Sequence, residues 1–261
     1  YELGRLIHKL PPRSSHLDNP HPLIEAWSFQ GFKKLSKEQL EQHITQELSK
    51  LDESQQIAGV LDVQESITET QFSADLAKIL EYIRNGDSYQ INHTYRIRGK
   101  TYGSPLGLYQ QLRNRQPGRF GAYIDSNSHY LLSQSPELFI ERSGNTLKAM
   151  PMKGTASALS EQVNALSDDP KNQAENVMIV DLMRNDLGQI CVPGSIAVPD
   201  LLRDENHPGL SHLVSDVTGQ LQTGITWAEI FTALLPAGSI SGAPKSAAKR
   251  IIARSETIPR G

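Results

Sequence analysis

The spacing of apolar side chains changes at Gly86, and this change limits the folds open to the chain more than any other feature. Between residues 70 and 84, apolar side chains recur every three or four residues, which is typical of one face of an α-helix. From Tyr89 to Ile97, apolar and polar residues alternate, which is typical of a strand with one polar face. Helical and strand-like segments then follow in mixed order. We therefore expect an α+β fold with large antiparallel β-sheets flanked by helices, rather than a doubly wound parallel sheet.

Capping residues and turns predict the remaining elements. Capping boxes that begin at Ser36 and Thr226 predict two helix starts. A long helix is predicted from Asp169 to Gly188, because the proline after Asp169 favours the first helical turn. The last helix is expected to begin near Gly242. Short strands are predicted over 120–124, 130–133, 138–141, 146–150, 195–198 and 212–218.

Composition and charge exclude several classes of partner. The chain has 26 basic and 29 acidic residues, so its net charge of −3 differs from that of a basic nucleic-acid-binding domain. Cys191 is the single cysteine, which excludes an intramolecular disulfide and a cysteine metal cage, and fits a reducing compartment. The sequence contains neither ~18 consecutive apolar residues nor a visible signal peptide. We expect a cytoplasmic protein that binds neither nucleic acid nor membrane.

Lys153 lies in the segment PMKGT, after a predicted strand and before Gly154 and Thr155. One interpretation is a solvated turn lysine, since lysine is rarely buried. The other is a nucleophile or an anion-binding ammonium group. An amine must be neutral to attack, so a nucleophilic lysine needs burial or a neighbouring cation.

Three other side chains also have a structural interpretation beside a functional one. Glu137 begins the strand-like segment SPELF, where it either faces water or, if buried, has a raised pKa and serves as a general acid. Glu175 lies early in the long helix, where it either interacts with the helix dipole or supplies an oxygen ligand for Mg²⁺. His212 lies on a predicted strand, a position that by itself favours a structural role.

The segment Pro236–Ser246, PAGSISGAPKS, has the composition of an anion-binding turn. Its small residues allow close approach of the backbone to a ligand, and Pro244 and Lys245 mark a helix start. The alternative is an ordinary flexible connection. From the residues alone, we infer an enzyme that acts on an anionic small molecule with the help of a divalent cation.

Six motifs in fixed order resemble those of the chorismate-utilising enzymes, and together they extend over roughly residues 72–261. The motifs are GDSYQIN (Gly86 to Asn92), SPELF (Ser135 to Phe139), PMKGT (Pro151 to Thr155), AENVMIVDLMRNDLG (Ala174 to Gly188), HLVS (His212 to Ser215) and AGSISGAPK (Ala237 to Lys245).

The resemblance implies a role for each candidate residue. Lys153 would be the nucleophile that attacks C2 of chorismate, and Glu137 would assist loss of the C4 hydroxyl. Glu175 would bind the Mg²⁺ that contacts a substrate carboxylate, and His212 would contact the substrate near its ring. The other implied substrate-binding residues are Gly154, Thr155, Gly242, Ala243 and Lys245.

Within this family, PMKGT resembles the aminodeoxychorismate synthases, because the related anthranilate synthases typically have alanine at the position of Lys153. The resemblance implies conversion of chorismate and ammonia to 4-amino-4-deoxychorismate, a precursor of 4-aminobenzoate and folate. The lysine would form a covalent intermediate, and a glutamine amidotransferase subunit would supply the ammonia.

The match also predicts the domain organisation. We expect residues 1–69 to be the remnant of an amino-terminal region with a linker helix, and residues 70–261 to be a chorismate-binding catalytic domain. We expect the family fold to be truncated at both ends. Family motifs expected after Gly261, including a second magnesium-binding glutamate, lie outside the sequence. We therefore expect a segment of this extent to have little activity by itself. Gln189 stands at a position, directly after RNDLG, where the family commonly has arginine.

Two alternative functions stay open. One is anthranilate synthase component I or another chorismate enzyme, and the other is an inactive fragment that only binds a partner subunit.

Overall fold

The fold is given by a computed structural model. It describes residues 24–157, 166–207 and 209–256, together with Ile7, Lys9, Ile258 and Arg260. The helices are α1 (Lys37–Ser49), α2 (Glu53–Gln56), α3 (Glu69–Arg84), α4 (Pro105–Arg115), α5 (Pro170–Gly188), α6 (Trp227–Leu234), α7 (Gly238–Ser241) and α8 (Lys245–Ser255). The strands are β1 (Gly59–Glu65), β2 (Gln90–Ile91), β3 (Ile97–Tyr102), β4 (Phe120–Asp125), β5 (Tyr130–Ser135), β6 (Leu138–Ser143), β7 (Thr146–Met150), β8 (Met152–Ser157), β9 (Ala197–His207), β10 (Leu210–Gln220) and β11 (Gly242–Ala243).

These elements form two compact units. The larger unit holds Ile67–Tyr95 and the described part of Glu137–Gly261. The smaller unit holds Ile24–Ser66 and Arg96–Pro136. The division into residues 1–69 and 70–261 was predicted from the family's domain organisation, and it stays a prediction. The boundaries of the two compact units differ from it, because β3 pairs with β1 and so belongs to the smaller unit.

Strand β10 is the centre of a five-stranded antiparallel sheet in the larger unit. Strand β9 pairs along one edge of β10, while β7 and β8 follow one another along the other edge. Strand β6 completes the sheet beside β7. Residues 211–217 of β10 are all buried, so the middle of this strand is covered on both faces.

Helix α5 covers one region of this sheet and forms the main core with it. The Asp169 side chain caps the helix by accepting from the Lys171 backbone N–H, and Pro170 occupies its first turn. The helix contacts β8 and β10. Each fully buried leucine or isoleucine in such a core contributes about 1.5–3 kcal/mol. The core cluster comprises Leu147, Ala149, Val180, Met183, Leu187, Ile190, Cys191, Val217, Leu221, Ile230, Ala233 and Leu234.

The smaller unit is built from two antiparallel strand pairs and the helices beside them. Strand β1 pairs with β3, and β4 pairs with β5. Helix α1 contacts α4, where Arg113 donates to the Glu41 carboxylate over 2.6 Å.

The structure confirms the predicted α+β class with antiparallel sheets, both capping boxes and the long helix. The predicted strand over residues 89–97 is wrong apart from β2 and Ile97, the first residue of β3. Residues 92–96 lack a strand partner, and the Thr94 backbone N–H donates to the Glu256 side chain instead. The last helix begins at Lys245 rather than near Gly242, because Gly242 and Ala243 form strand β11. Strand β9 begins at Ala197 and continues to His207, well beyond the short strand predicted over 195–198.

Among the described residues, no helix has the length and apolar character needed to cross a membrane.

Candidate active site

A β-bulge at Gly154 shapes the strand that carries Lys153. In the β8–β10 ladder, Lys153 pairs with Leu213 and Thr155 pairs with His212, which leaves Gly154 as an extra residue. Gly154 has φ +83°, and an added Cβ would lie 3.1 Å from the Asn172 side chain of α5. Glycine is required here both by the left-handed conformation and by the close approach of the helix.

Glu137 lies at the head of β6 beside Lys153. The Ser239 hydroxyl and the Met152 backbone N–H donate to the Glu137 carboxylate, and the Lys153 ammonium is close enough to act on its charge. Burial raises the pKa of Glu137 and outweighs these three contacts, each of which favours the ionised form. The carboxyl therefore holds its proton to higher pH than an exposed glutamate, as a general acid requires.

Lys153 itself is half-buried rather than fully exposed. The structure thus brings the predicted nucleophile and the predicted acid together, on adjacent parts of the five-stranded sheet. Ser239 was missed as an individual residue by the sequence-based predictions. The signal that points to it is its place in the small-residue segment AGSISGAPK, since a hydroxyl among small residues can reach a neighbouring carboxyl.

His212 and Thr155 also lie together, as neighbours across the β8–β10 ladder. Thr155 Oγ1 is 3.2 Å from His212 Nδ1, and either atom can be the donor. His212 is buried, with 6% of its surface exposed. This contact fixes the orientation of the imidazole next to the bulge that presents Lys153.

Glu175 lies on α5 one turn beyond Asn172, the residue that contacts Gly154. Its side chain is 41% exposed, and its Oε1 atom is 4.0 Å from Lys171 Nζ. Among the described residues, no group of three or more His, Cys, Asp or Glu side chains is arranged to hold a metal ion. Glu175 therefore fits Mg²⁺ only as one carboxylate ligand, with water and substrate oxygens to complete the octahedron.

The turn at Gly242 and Ala243 is joined to the distant motif GDSYQIN. Gly242 pairs with Ile91 and Ala243 pairs with Gln90, which forms the β2–β11 ladder. The Ser88 hydroxyl donates to the Ala243 carbonyl over 2.8 Å. An added Cβ at Gly242, which has φ +138°, would lie 2.1 Å from the Gln90 carbonyl oxygen. Two motifs about 150 residues apart are thus one structural unit.

Lys245 forms a buried ion pair with Asp186 of α5. Its Nζ also donates to the Leu234 carbonyl over 3.4 Å. Burial raises the pKa of Asp186, although Lys245 and Lys249 act in the opposite direction. The pKa of Lys249 is lowered to about 8, first by burial and then by the Lys245 charge. These contacts give Lys245 a structural role, and its predicted contact with substrate stays a prediction.

Asn176 is a second polar residue that the sequence-based predictions missed. It is fully buried on α5, immediately after Glu175, and its amide bonds to two groups on β10. The signal for it is a single polar residue at a core position of an otherwise apolar helix stretch.

Comparison with known proteins shows which family the chain resembles. The family model described as chorismate binding enzyme matches residues 6–261. Aminodeoxychorismate synthase component 1 of Escherichia coli (strain K12) is 37% identical over 197 residues, which cover 73% of this chain and 44% of that protein. Anthranilate synthase component 1 of Saccharolobus solfataricus is 35% identical over 203 residues, which cover 76% of this chain and 48% of that protein. The chain spans less than half the length of these two relatives.

A solved structure gives the same picture of the fold. Anthranilate synthase component I from Streptococcus pneumoniae TIGR4 superposes with a TM-score of 0.70 at 30% identity, over 85% of this chain and 52% of that chain. The family model extends over nearly the whole sequence, and six ordered motifs lie within it. The chain belongs to the chorismate-binding enzyme family.

Proposed function

We propose that the chain carries the chorismate-binding site of an aminodeoxychorismate synthase component I, a transferase that forms 4-amino-4-deoxychorismate. The observation that carries this proposal is the pairing of Lys153 with Glu137. A half-buried amine beside a carboxyl of raised pKa supplies both a nucleophile and a proton donor.

The proposed reaction has two displacement steps. The neutral Lys153 amine attacks C2 of chorismate, both conjugated ring double bonds shift, and the C4–O bond breaks. The departing hydroxide takes the Glu137 proton and leaves as water. Ammonia then attacks C4, both double bonds shift back, and the C2–N bond to Lys153 breaks. Glu137 accepts a proton from the new amino group, so lysine and carboxyl both return to their starting states.

The other residues bind and orient the substrate in this proposal. Thr155 and His212 would line the chorismate pocket near the ring, together with the Gly154 backbone. The Gly242–Ala243 turn would hold a carboxylate through the uncapped start of α8, where Pro244 provides no side-chain cap. These roles are supported by the position of each motif beside the Lys153–Glu137 pair or the adjoining α5 helix.

Glu175 would contribute the protein's ligand to Mg²⁺. When bound, the ion would neutralise part of the charge of a substrate carboxylate. Lys171 competes for the same Glu175 oxygen at 4.0 Å, so we expect weak metal binding by the protein without substrate.

We also propose that the ammonia comes from a glutamine amidotransferase subunit and that the protein acts in the cytoplasm, in the biosynthesis of 4-aminobenzoate and folate. Support comes from the similarity to aminodeoxychorismate synthase component 1 and from Lys153 itself.

The first test separates the covalent step from turnover. The full-length protein is incubated with chorismate and Mg²⁺ without ammonium, quenched and analysed by peptide mass spectrometry. We expect a chorismate adduct, less one water, on the peptide that contains Lys153. The variant Lys153→Arg keeps a cation but cannot act as a neutral nucleophile at neutral pH, so it should give no adduct. An unmodified wild-type peptide would contradict the proposed covalent mechanism.

Anthranilate synthase component I is the second candidate, because proteins with that name are also 35–37% identical. The product distinguishes the two functions. The protein is incubated with chorismate, Mg²⁺ and ammonium. Formation of aminodeoxychorismate would support our proposal, and formation of fluorescent anthranilate would support anthranilate synthase instead.

A further inference from the structure

The buried pair Asn176–Ser215 holds α5 against β10 at the level of Lys153. Asn176 Nδ2 donates to the Leu213 carbonyl over 2.9 Å, and the Ser215 hydroxyl donates to Asn176 Oδ1 over 2.6 Å. Both side chains are fully buried, with 0% of their surface exposed. Because buried amides are costly to leave unpaired, the two bonds fix both ends of the Asn176 side chain.

The pair lies where both ladders of β10 are irregular. On the β8 side, the bulge at Gly154 falls between His212 and Leu213. On the β9 side, the register shifts between Val214 and Asp216, so Ser215 lies opposite the irregularity. A β-bulge leaves backbone groups without their usual ladder partners, and such groups need other partners when they are buried.

Ser215 supplies one of those partners directly. The Leu202 backbone N–H donates to Ser215 Oγ over 3.0 Å, and Leu202 has φ +58°, a left-handed conformation that is unfavourable for leucine. The backbone N–H of Ser215 donates to the Pro151 carbonyl over 3.1 Å, between β7 and β8. One serine therefore connects Pro151, the residue just before the strand that carries Lys153, with the irregular part of β9 and helix α5.

The positions of these contacts relate them to the candidate active site. Leu213, whose carbonyl accepts from Asn176, is the ladder partner of Lys153. Asn176 immediately follows Glu175 on α5. A shift of α5 along β10 would therefore move the proposed metal ligand relative to the proposed nucleophile.

We propose that Asn176 and Ser215 are positioning residues that set the separation of Lys153 and Glu175. This inference rests on the proposed function of those two residues. Neither positioning residue needs to touch the substrate. They act through the helix–strand contact, which the bulges would otherwise leave free to slide.

A matched control lies on the same strand. Ser211 donates to Asn206 Oδ1 over 2.6 Å, so it forms a serine–asparagine bond of the same length. That bond joins β10 to β9 and does not involve α5. Ser211→Ala thus removes an equivalent hydrogen bond without loosening the contact between α5 and β10.

The test compares the full-length wild-type protein with its Ser215→Ala, Asn176→Ala and Ser211→Ala variants. With chorismate, Mg²⁺ and ammonium, we expect Ser215→Ala and Asn176→Ala to lower kcat about 10- to 100-fold while KM changes less than about threefold, since misplacement of reacting groups by ~1 Å has effects of this size. Ser211→Ala should stay within about twofold of wild type. A uniform loss in all three variants, or no loss in the first two, would overturn the inference.

A second readout does not depend on turnover. Each protein is treated briefly with acetic anhydride, and acetylation of Lys153 is measured by mass spectrometry relative to the exposed Lys171. We expect the Lys153 to Lys171 ratio to rise at least about threefold in Ser215→Ala but not in Ser211→Ala, because a loosened strand exposes the amine. Equal ratios in all folded proteins would overturn the positioning role. If wild type forms neither adduct nor product, the proposed function fails, and this ratio still decides whether the pair holds Lys153 in place.

Discussion

Thr155 Oγ1 lies 3.2 Å from His212 Nδ1, across the two strands that meet at the Gly154 bulge. The two residues come from motifs 57 positions apart in the chain. Their contact couples the orientation of a buried histidine to the strand that carries Lys153. Each element of the site can be tested by removing one such contact while its neighbours are kept.

Removal of the Thr155 hydroxyl should reduce activity without loss of the fold. Thr155→Val keeps the side-chain volume but removes the hydrogen bond to His212. We expect kcat/KM for chorismate to fall about 5- to 20-fold, which corresponds to about 1–2 kcal/mol. Thr155→Ser, which retains the hydroxyl, should remain within about threefold of wild type. Steady-state kinetics check this, and equal activity of the valine and serine variants would contradict the role assigned to the bond.

The buried carboxyl of Glu137 should make stability depend on pH in a predictable direction. Burial raises its pKa above the value of 4.5 that applies to an exposed glutamate. The folded state therefore binds the proton more tightly, and the contribution of Glu137 to stability is full below pH 4.5 and is lost as pH rises through the folded pKa. Glu137→Gln should thus be more stable than wild type at pH 8 but not at pH 4. Urea unfolding at both pH values measures this, and an equal difference at both would contradict it.

The same Glu137→Gln variant should also lose activity, because glutamine cannot donate the proton. A loss of about 10²- to 10⁴-fold in kcat is expected for a general acid. Product formation from chorismate and ammonium measures it. A variant with wild-type kcat would show that the C4 hydroxyl leaves without help from this carboxyl.

The two requirements for glycine at position 154 can be separated with a control glycine. Gly154→Ala introduces a left-handed alanine and a Cβ 3.1 Å from Asn172, whereas Gly144→Ala introduces a left-handed alanine into open space. We expect Gly144→Ala to lower the free energy of unfolding by about 1–2 kcal/mol and Gly154→Ala to lower it further. The additional substitution Asn172→Ala should recover part of the difference. Equal losses at the two glycines would argue against the close approach of α5.

Lys249 should destabilise the folded protein at neutral pH. Its pKa is lowered from 10.5 to about 8, so the unfolded state binds the proton more tightly and stability rises with pH between these two values. Lys249→Met removes the amine but keeps a flexible apolar side chain. We expect Lys249→Met to be about 1–3 kcal/mol more stable than wild type at pH 7, with a smaller difference at pH 10. Unfolding curves at both pH values test this, and a difference that grows with pH would contradict it.

Two substitutions in neighbouring residues should change the Mg²⁺ concentration required for chorismate binding in opposite directions. Glu175→Gln removes the proposed carboxylate ligand, and we expect the Mg²⁺ concentration for half-maximal binding of chorismate to rise at least about tenfold. Lys171→Ala removes the competing ammonium 4.0 Å away, and the same concentration should fall slightly, because exposed charge pairs are weak. Titration calorimetry with chorismate present measures both. An unchanged Mg²⁺ requirement in Glu175→Gln would remove Glu175 from the metal site.

Much of the candidate site could be predicted from the sequence because its residues lie in short contiguous motifs. Lys153, Gly154 and Thr155 are consecutive, and the structure places them at a single bulge. The side chains that form hydrogen bonds to the site from distant segments were harder to predict. Ser239 reaches Glu137 from a segment about 100 residues away, and Asn176 reaches β10 from a helix. Neither pairing leaves a periodic signal in the sequence.

The predicted strand over residues 89–97 shows why local pattern alone can mislead. The alternation of apolar and polar residues is genuine, yet within it only Gln90, Ile91 and the final residue, Ile97, pair with another strand. The Asn92 and Thr94 backbone N–H groups donate to the Ser241 carbonyl and the Glu256 side chain. Alternation indicates which side chains face the core, but a strand also needs a neighbour that accepts its hydrogen bonds.

Local sequence was sufficient to predict the α+β class, the capped helices and the motifs that resemble the family, because each depends on residues near one another in the chain. The ion pairs and the pKa values of buried groups, in contrast, depend on the tertiary structure. The pKa of Glu137 depends on burial and on three neighbours brought from β8 and α7, and the Lys245–Asp186 ion pair joins residues 59 positions apart. Electrostatic interactions depend on distance and on exclusion of water, and only the folded chain fixes these two quantities.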